Sequence, residues 1–328
     1  MKKIIAVGNA LVDIMTLLEN DEFLNKFSLG KGSMQLVDNV LSSDILRAAE
    51  GLKKQLASGG SSANTIHGIA NLGGSTAYIG TIGTDEYGRF FKEDLENAGI
   101  KAFLYEREAE TGRAIAMVSL DSERTFATFL GAAVEVSDEH IVSETIKDYD
   151  YIHLEGYLVL NKKMIEKAMT TAKEHGLKVS IDMSSYNVVE QNRDYLEFLI
   201  RNYVDIVFAN EDEAKSFTNS SPEKSLDIIA EMVETAVVKL GKNGSLVKHK
   251  GEYYKIEPVV ANCIDTTGAG DLFAAGFLYG LANDLPIDKC GKIGSLLASN
   301  VIELVGAKIS NERWEILRSQ VAAIYNNH

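Results

Sequence analysis

Asp265-Thr266-Thr267-Gly268-Ala269-Gly270-Asp271 runs directly into LFAAGFLYGL (272–281), and no other stretch of the chain says as much. Leu272, Gly276 and Tyr279 recur at i, i+4 and i+7, which predicts a helix beginning at about Gly270 with Asp271 in its first turn. Gly268 and Gly270 let the backbone approach a ligand, and the successive N–H groups around Ala269 can form an anion hole. A carboxylate beside such a hole is placed to accept a proton from an attacking hydroxyl. Anion stabiliser, base and helix N-terminus are together the parts needed for phosphoryl transfer. Taken alone, the fragment also reads as a tight turn in which Asp271 complements the helix dipole. It is not a Walker loop, because GxxxxGK[ST] occurs nowhere, and Phe273 stands where the dinucleotide fingerprint needs its last glycine.

Outward from this stretch, short β-branched runs alternate with helical ones. Strands are expected at 3–7, 77–82, 151–154, 178–181, 206–209 and 236–240. Helices are expected at 63–72, 88–98, 162–175, 195–202 and 225–234, then at 270–281, 288–305 and 311–325. Regular alternation argues an α/β fold with a mostly parallel sheet flanked by helices. Residues 111–136 break the rhythm with two strand-like runs around Asp121-Ser122-Glu123, a hairpin signature, and residues 13–37 are similarly irregular. These two segments are expected to pair as a small β-sheet lid over a cleft. Residues 1–12, 38–110 and 137–328 would then form the α/β core.

The chain has 328 residues, enough for one large α/β domain with an excursion, and its 45% hydrophobic and 24% charged shares are globular values. A net charge of −14 disfavours broad nucleic-acid binding, although a local nest of N–H groups still suits a small anion. Asn9 and Asp13 interrupt the apolar opening, so it reads as a buried strand and not a signal peptide, and no membrane span is expected. Two cysteines and six scattered histidines support neither a disulfide framework nor a zinc site, and the expected compartment is the cytoplasm.

A second glycine cluster, Ser58-Gly59-Gly60-Ser61-Ser62-Ala63-Asn64, opens a helix, with Asn64 one turn on. Its plainer reading is a loop and N-cap. GGSSANTIHGIANLGGSTAYIGTIGTDEYGR (59–89) resembles the first signature of the PfkB (ribokinase-like) kinase family, and DTTGAGDLFAAGFL (265–278) resembles its second. Asn210-Glu211-Asp212-Glu213 is similar to the family's NxxE element, and Val238-Lys239-Leu240-Gly241-Lys242-Asn243-Gly244 to its nucleotide loop. The resemblance extends over essentially the whole chain and implies the ribokinase-like fold.

By that resemblance Asp271 is the catalytic base, and Gly268, Ala269 and Gly270 form the anion hole. Asn210 and Glu213 organise phosphate and Mg²⁺, the glutamate through water. Lys239, Gly241 and Gly244 hold the ATP base and ribose. Asn9, Asp13, Gly59, Gly60, Ser61 and Asn64 fall at substrate positions. Asp265 and Thr267, with carbonyls near Val301, Leu304 and Gly306, resemble the monovalent-cation (K⁺) site of some members. Arg124, on the returning strand of the hairpin, is expected to reach the phosphates from a closed lid, or else to pair with Glu123 or Asp121 at the surface.

The opening GNALVDI (8–14), with SERTFATFLGA and LEGYL, is closer to the bacterial adenosine kinase branch of the family than to ribokinase. Leu11, Phe126 and Tyr157 would make an apolar, aromatic slot for a purine, or would simply pack. The expected activity is ATP-dependent phosphorylation of a primary hydroxyl on a ribose-containing small molecule, adenosine first, by a monomer or a lid-mediated homodimer. The alternatives are a kinase of a free sugar or sugar acid (ribose, fructose or ketodeoxygluconate-like) and a catalytically silent ligand sensor on the same fold.

Overall fold

The computed structural model describes residues 1–120 and 123–326, so Asp121 and Ser122 of the expected turn lie outside the described residues. The chain opens with β1 (Ile4–Val7), β2 (Leu11–Leu17), β3 (Met34–Leu36) and β4 (Lys54–Gly59), and continues through β5 (Thr76–Gly83) and β6 (Lys101–Arg107). Next come β7 (Gly112–Val118), β8 (Arg124–Phe129), β9 (Tyr151–Glu155) and β10 (Lys178–Asp182). The last strands are β11 (Ile206–Asn210), β12 (Thr235–Lys239), β13 (Ser245–His249) and β14 (Glu252–Ile256).

Nine of these form one sheet in the order β14-β13-β12-β11-β10-β9-β1-β5-β6. Its pairs are parallel from β12 through to β6, and only β13 and β14 are added antiparallel. Every residue of β1, β5 and β9 is buried, as expected of strands covered on both faces. The period of two sends Ile4, Tyr78 and Phe208 to a core with helices Ala269–Ala282 and Ile287–Val301. It sends Ile5, Ile79 and Val207 to the opposite core, with helices Lys162–Glu174 and Tyr186–Tyr203. Helix Tyr186–Tyr203 starts well before the expected residue 195 and is kinked at Asn192, which leaves helical geometry. Helix Pro222–Ala230 begins with its proline and ends earlier than expected. Helix Ile287–Val301 stops short of 305, since the Ile302 carbonyl turns to accept from the N–H groups of Ile264 (2.7 Å) and Asp265 (3.0 Å).

The second sheet runs β3-β8-β7-β2-β4. β7 and β8 pair antiparallel as the hairpin requires, but β8 ends at Phe129, and Gly131–Glu135 is a 3₁₀ turn rather than strand. The segment read as irregular holds all but the first two residues of β2, which pairs with β7, and the whole of β3, which pairs with β8. β4, in a stretch assigned to the core by sequence, is the edge strand of this sheet beside β2. KQLASG exposes its first three residues, so it carries no alternation to betray a strand. One face packs Leu18, Leu24, Ile45, Ile115 and Met117 together. The other carries Leu11, Asp13, Met15 and Phe126, with Met15 close against Gly306 of the larger unit. Among the described residues, no helix is long and apolar enough to cross a membrane.

Candidate active site

Parallel strands deliver their last residues to one end of the sheet, and a crevice opens there where the chain reverses its direction of winding. Here the reversal falls between β1 and β9. Asn9, just past β1, donates from its backbone N (2.9 Å) and its Nδ2 (2.6 Å) to Oε1 of Glu155, the last residue of β9. The Ser62 N–H donates to Oε2 at 3.1 Å. The buried Glu155, raised by desolvation, thus ties the loop after β1 to the start of helix Ser61–Asn71. Sequence reasoning gave it no role, although it lies within the quoted LEGYL.

Gly268 caps helix Ala269–Ala282 in the left-handed region (φ 76°), where a side chain would be strained. Asp271 follows in the first turn. Its Oδ1 accepts from Ser61 Oγ at 2.7 Å and its Oδ2 from Asn64 Nδ2 at 2.9 Å. The two glycine signatures, far apart in sequence, therefore converge on one carboxylate. Burial pushes Asp271 up to about 6, against the pull of the Asn64 and Ser61 donors. Asn64 Oδ1 is buried without a partner among the described residues.

Lys239, the last residue of β12, donates to Asp182 Oδ2 at 2.7 Å, and both side chains are nearly buried. A Cβ built on Gly270 would stand 3.0 Å from Lys239 Nζ, so the ammonium lies against the anion hole. Sequence had grouped Lys239 with Gly241 and Gly244 at the ATP base and ribose. The structure sets its charge apart from those two, which occupy the turn beyond β12. Asp182 was missed, and its position as a carboxylate closing the KVSID strand was the available signal.

Asn210 closes β11 and caps the following helix, Glu211–Thr218. Its Oδ1 accepts from the Glu213 N–H (2.9 Å), while Glu213 accepts from the Asn210 backbone N (2.7 Å) and Nδ2 (2.8 Å). Burial, reinforced by the charge of Asp182, pushes Glu213 up to about 7.

The small sheet supplies the other wall. A Cβ on Gly59 would collide with the Asp13 carboxylate, and Gly60 (φ 96°) admits none because the Asn9 carbonyl occupies that space. Asp13 is pushed up to about 7 by burial, with Lys308 opposing the shift and Asp271 adding to it. Leu11 and Phe126 are half-buried, and Tyr157, on the turn after β9, is half-buried with its hydroxyl raised to about 12 by burial and the surrounding carboxylates.

Among the described residues, Arg124 makes its ion pair across the chain and not with a neighbour in sequence. Its guanidinium meets Asp265, and both side chains are buried. Asp265 also accepts from the Thr267 N–H (3.0 Å) and Oγ1 (2.8 Å) and from the Gly306 N–H (2.7 Å). Val301's carbonyl accepts from Leu304 N at 3.0 Å. With a guanidinium and three donors on Asp265, these residues do not fit a monovalent cation.

Residues 27–314 match the family described as pfkB family carbohydrate kinase. A probable sugar kinase from Rhizobium etli, 34% identical, superposes with a TM-score of 0.88 over 98% of this chain and 99% of that one. The adenosine kinase from Sinorhizobium meliloti, 31% identical, superposes with a TM-score of 0.86 over the same shares. An uncharacterised sugar kinase of Archaeoglobus fulgidus is 29% identical over 251 residues, 74% of this chain and 96% of the relative. The match spans most of the chain, and the chain belongs to the pfkB family of carbohydrate kinases, phosphotransferases that act on hydroxyl groups.

Proposed function

We propose that the protein transfers the γ-phosphate of ATP to a primary hydroxyl of a ribose-containing acceptor, adenosine in the first place, giving AMP. The observation that carries this is Asp271, held between Ser61 and Asn64 at the mouth of the Gly268–Gly270 turn. A carboxylate at about 6 is ionised at neutral pH and still basic enough to take the hydroxyl proton as the phosphoryl group leaves ATP. The N–H groups of Gly268, Ala269 and Gly270, with the Lys239 ammonium beside them, stabilise the charge on the group in transfer.

The charge of Asp182 opposes the ionisation of Glu213 and Asp271, and that of Asp271 opposes Glu213, a setting that a divalent cation relieves. Among the described residues, no three carboxylate, histidine or cysteine groups could hold a metal ion by themselves. Magnesium would therefore be held mainly by phosphate oxygens, with Glu213 acting through water; when bound it neutralises phosphate charge.

On the acceptor side, Asp13 and the unpartnered Asn64 Oδ1 suit ribose hydroxyls, and Gly59 and Gly60 let the sugar approach main chain. Leu11, Met15, Phe126 and Tyr157 offer a base an apolar surface, and the small sheet acts as a lid that excludes water. The Sinorhizobium meliloti relative is an adenosine kinase, which favours a nucleoside. The Rhizobium etli relative supports the second reading, a free-sugar acceptor. We place the enzyme in the cytoplasm, acting on small molecules without nucleic acid or a membrane. ATP turnover across a panel of adenosine, ribose, fructose and a keto-deoxy sugar acid tests this. Conversion of adenosine to AMP is expected; phosphorylation of a sugar with none of adenosine overturns the acceptor, and no turnover with any of them overturns the enzyme.

A further inference from the structure

Glu155 ends β9 with a buried carboxylate that takes no part in the proposed transfer, yet its bonds run to both loops that build the cleft. Oε1 accepts two donors from Asn9, and Oε2 accepts the Ser62 N–H. The side chain reaches them by passing over Gly8, just beyond the neighbouring β1, where a Cβ would stand 2.7 Å from Oε2.

Ser62 is the second residue of helix Ser61–Asn71, so its N–H is one of the donors that a helix start leaves without a partner inside the helix. The side chain of the cap residue normally meets such a donor. Here the cap position is Gly60, where φ is 96° and the Asn9 carbonyl fills the space of a Cβ. The cap therefore comes from another strand, and a carboxylate at this end of a helix also suits its dipole. Ser62 Oγ donates to the Val7 carbonyl at 3.0 Å, so the turn is held to β1 and β9 together.

Ser61 and Asn64, on either side of Ser62, bond the two oxygens of Asp271, and Thr65 Oγ1 donates to the Asp271 carbonyl at 3.2 Å. Farther along, a Cβ on Gly68 would fall 2.6 Å from that of Ala275, so the helices carrying these groups pack with little room to slide. Among the described residues Glu155 bonds to none of Ser61, Asn64 and Asp271; it holds the turn that carries the first two.

We propose that Glu155 is a positioning residue for the base: capping helix Ser61–Asn71 from β9 and holding Asn9 with the same carboxylate, it fixes where Ser61 and Asn64 meet Asp271. This rests on the reading of Asp271 as the base. Both acceptor oxygens are needed, because Asn9 and Ser62 bring only donors to the group. Glutamine keeps the shape but has one acceptor oxygen, and its NH₂ must face the donor left over.

The test follows kcat against pH at saturating acceptor, with acceptor affinity measured without ATP and adenosine and ribose as probes. Ser61 and Asn64 draw Asp271 down against the effect of burial, so loosening them raises it, and a base that must be ionised then fails at higher pH. In Glu155→Gln the acid limb of kcat moves up from about 6. The movement is about one unit, the scale of one hydrogen bond to a charged group, and kcat on the alkaline plateau falls by up to about 10²-fold. Loss of the Glu155 charge by itself works the other way, since removing a negative charge favours an ionised neighbour. A limb that stays or moves down overturns the proposal. The titratable groups around Asp271 are unchanged in the variant: Asp182 of β10, Lys239 of β12, Glu213 at its helix start, Asp13 of β2 and Tyr157 after β9. Glu155→Asp keeps the charge and shortens the reach, so its limb also moves up, and it serves as the test by itself if the amide does not fold. Ser61→Ala shifts the limb less in the Glu155→Gln background than in the wild type, and full additivity overturns the role. A fall in acceptor affinity with kcat and its limb intact makes Glu155 an acceptor ligand and overturns it as well. Asp271→Asn separates the two levels. A limb that persists there removes Asp271 as the base and the role of Glu155 with it. A limb lost there but unmoved in Glu155→Gln overturns the role of Glu155 alone.

Discussion

On the side of the cleft proposed for phosphate, Asp182, Asn210 and Lys239 are the final residues of three adjacent parallel strands, and Lys239 and Asp182 neutralise each other in near-complete burial. On the side proposed for the acceptor, Asp13 lies in the middle of a strand of the five-stranded sheet, whose same face leaves Leu17, Met34 and Leu36 exposed. One wall is set by the packing of a nine-stranded sheet and has little freedom. The other is a thin sheet whose cleft face lacks a complete set of partners. A wall of the first kind suits a reaction step shared by many relatives, and a wall of the second kind suits a choice of acceptor. That a probable sugar kinase and an adenosine kinase both superpose on the whole chain fits this division.

The sharpest break of the comparison is at the base. Asp271→Asn retains the bonds' geometry but cannot take the proton, so kcat should fall by roughly 10²–10⁴-fold while acceptor affinity, measured by calorimetry, survives. Near-normal turnover would remove Asp271 from the mechanism. Next is the buried pair. Lys239→Met strands the Asp182 charge and should cost about 3–5 kcal/mol of stability, read by denaturant unfolding. The double variant Lys239→Met/Asp182→Asn should regain most of that stability without regaining activity. Equal activity in the single and wild-type proteins would show that the ammonium serves folding alone.

A Gly59→Ala change attacks the opposite wall. The added methyl drives into Asp13, so KM for the acceptor should rise about tenfold while KM for ATP stays constant. The pH dependence separates the walls without mutation. Asp271 must be ionised to act, so kcat should decline as pH falls through about 6, whereas acceptor affinity should decline from about 7, where Asp13 protonates. Coincident limbs would mean that one group controls both. The smallest effect is expected at Arg124. Arg124→Ala exposes the Asp265 carboxylate, so the variant should respond to potassium over tetramethylammonium more than the wild type does; identical responses would show that the guanidinium does not stand in for an ion.

The phosphate side was the more legible wall for the same reason that it is the more rigid one. Fully buried strands announce themselves as apolar runs, and glycines before a helix-start carboxylate single out Asp271 and Asn64, whereas Asn210 and Glu213 were named only through the family resemblance. The small sheet hides its edge strand, because the exposed half of Lys54–Gly59 has no period, and its true extent emerged only with β2 and β4 paired. Partners brought together across long stretches of chain left no local trace. Arg124 on Asp265 and Lys308 on Ser58 join positions that nothing in sequence relates, and Asp182 was visible only as the last letter of a strand.

The pairing of the small sheet also bears on the order in which the protein can be made. β2 pairs with β7 at Leu11↔Gly112 and β3 with β8 at Met34↔Phe126, while the central β1 waits for β9 at Ile4↔Tyr151. During N- to C-terminal synthesis the first strands emerge long before their neighbours, and such distant closures are slow to form. Every strand of the small sheet that carries Asp13 is therefore synthesised well before Asp271, the proposed base, so one wall of the cleft can begin to form while the other is still incomplete.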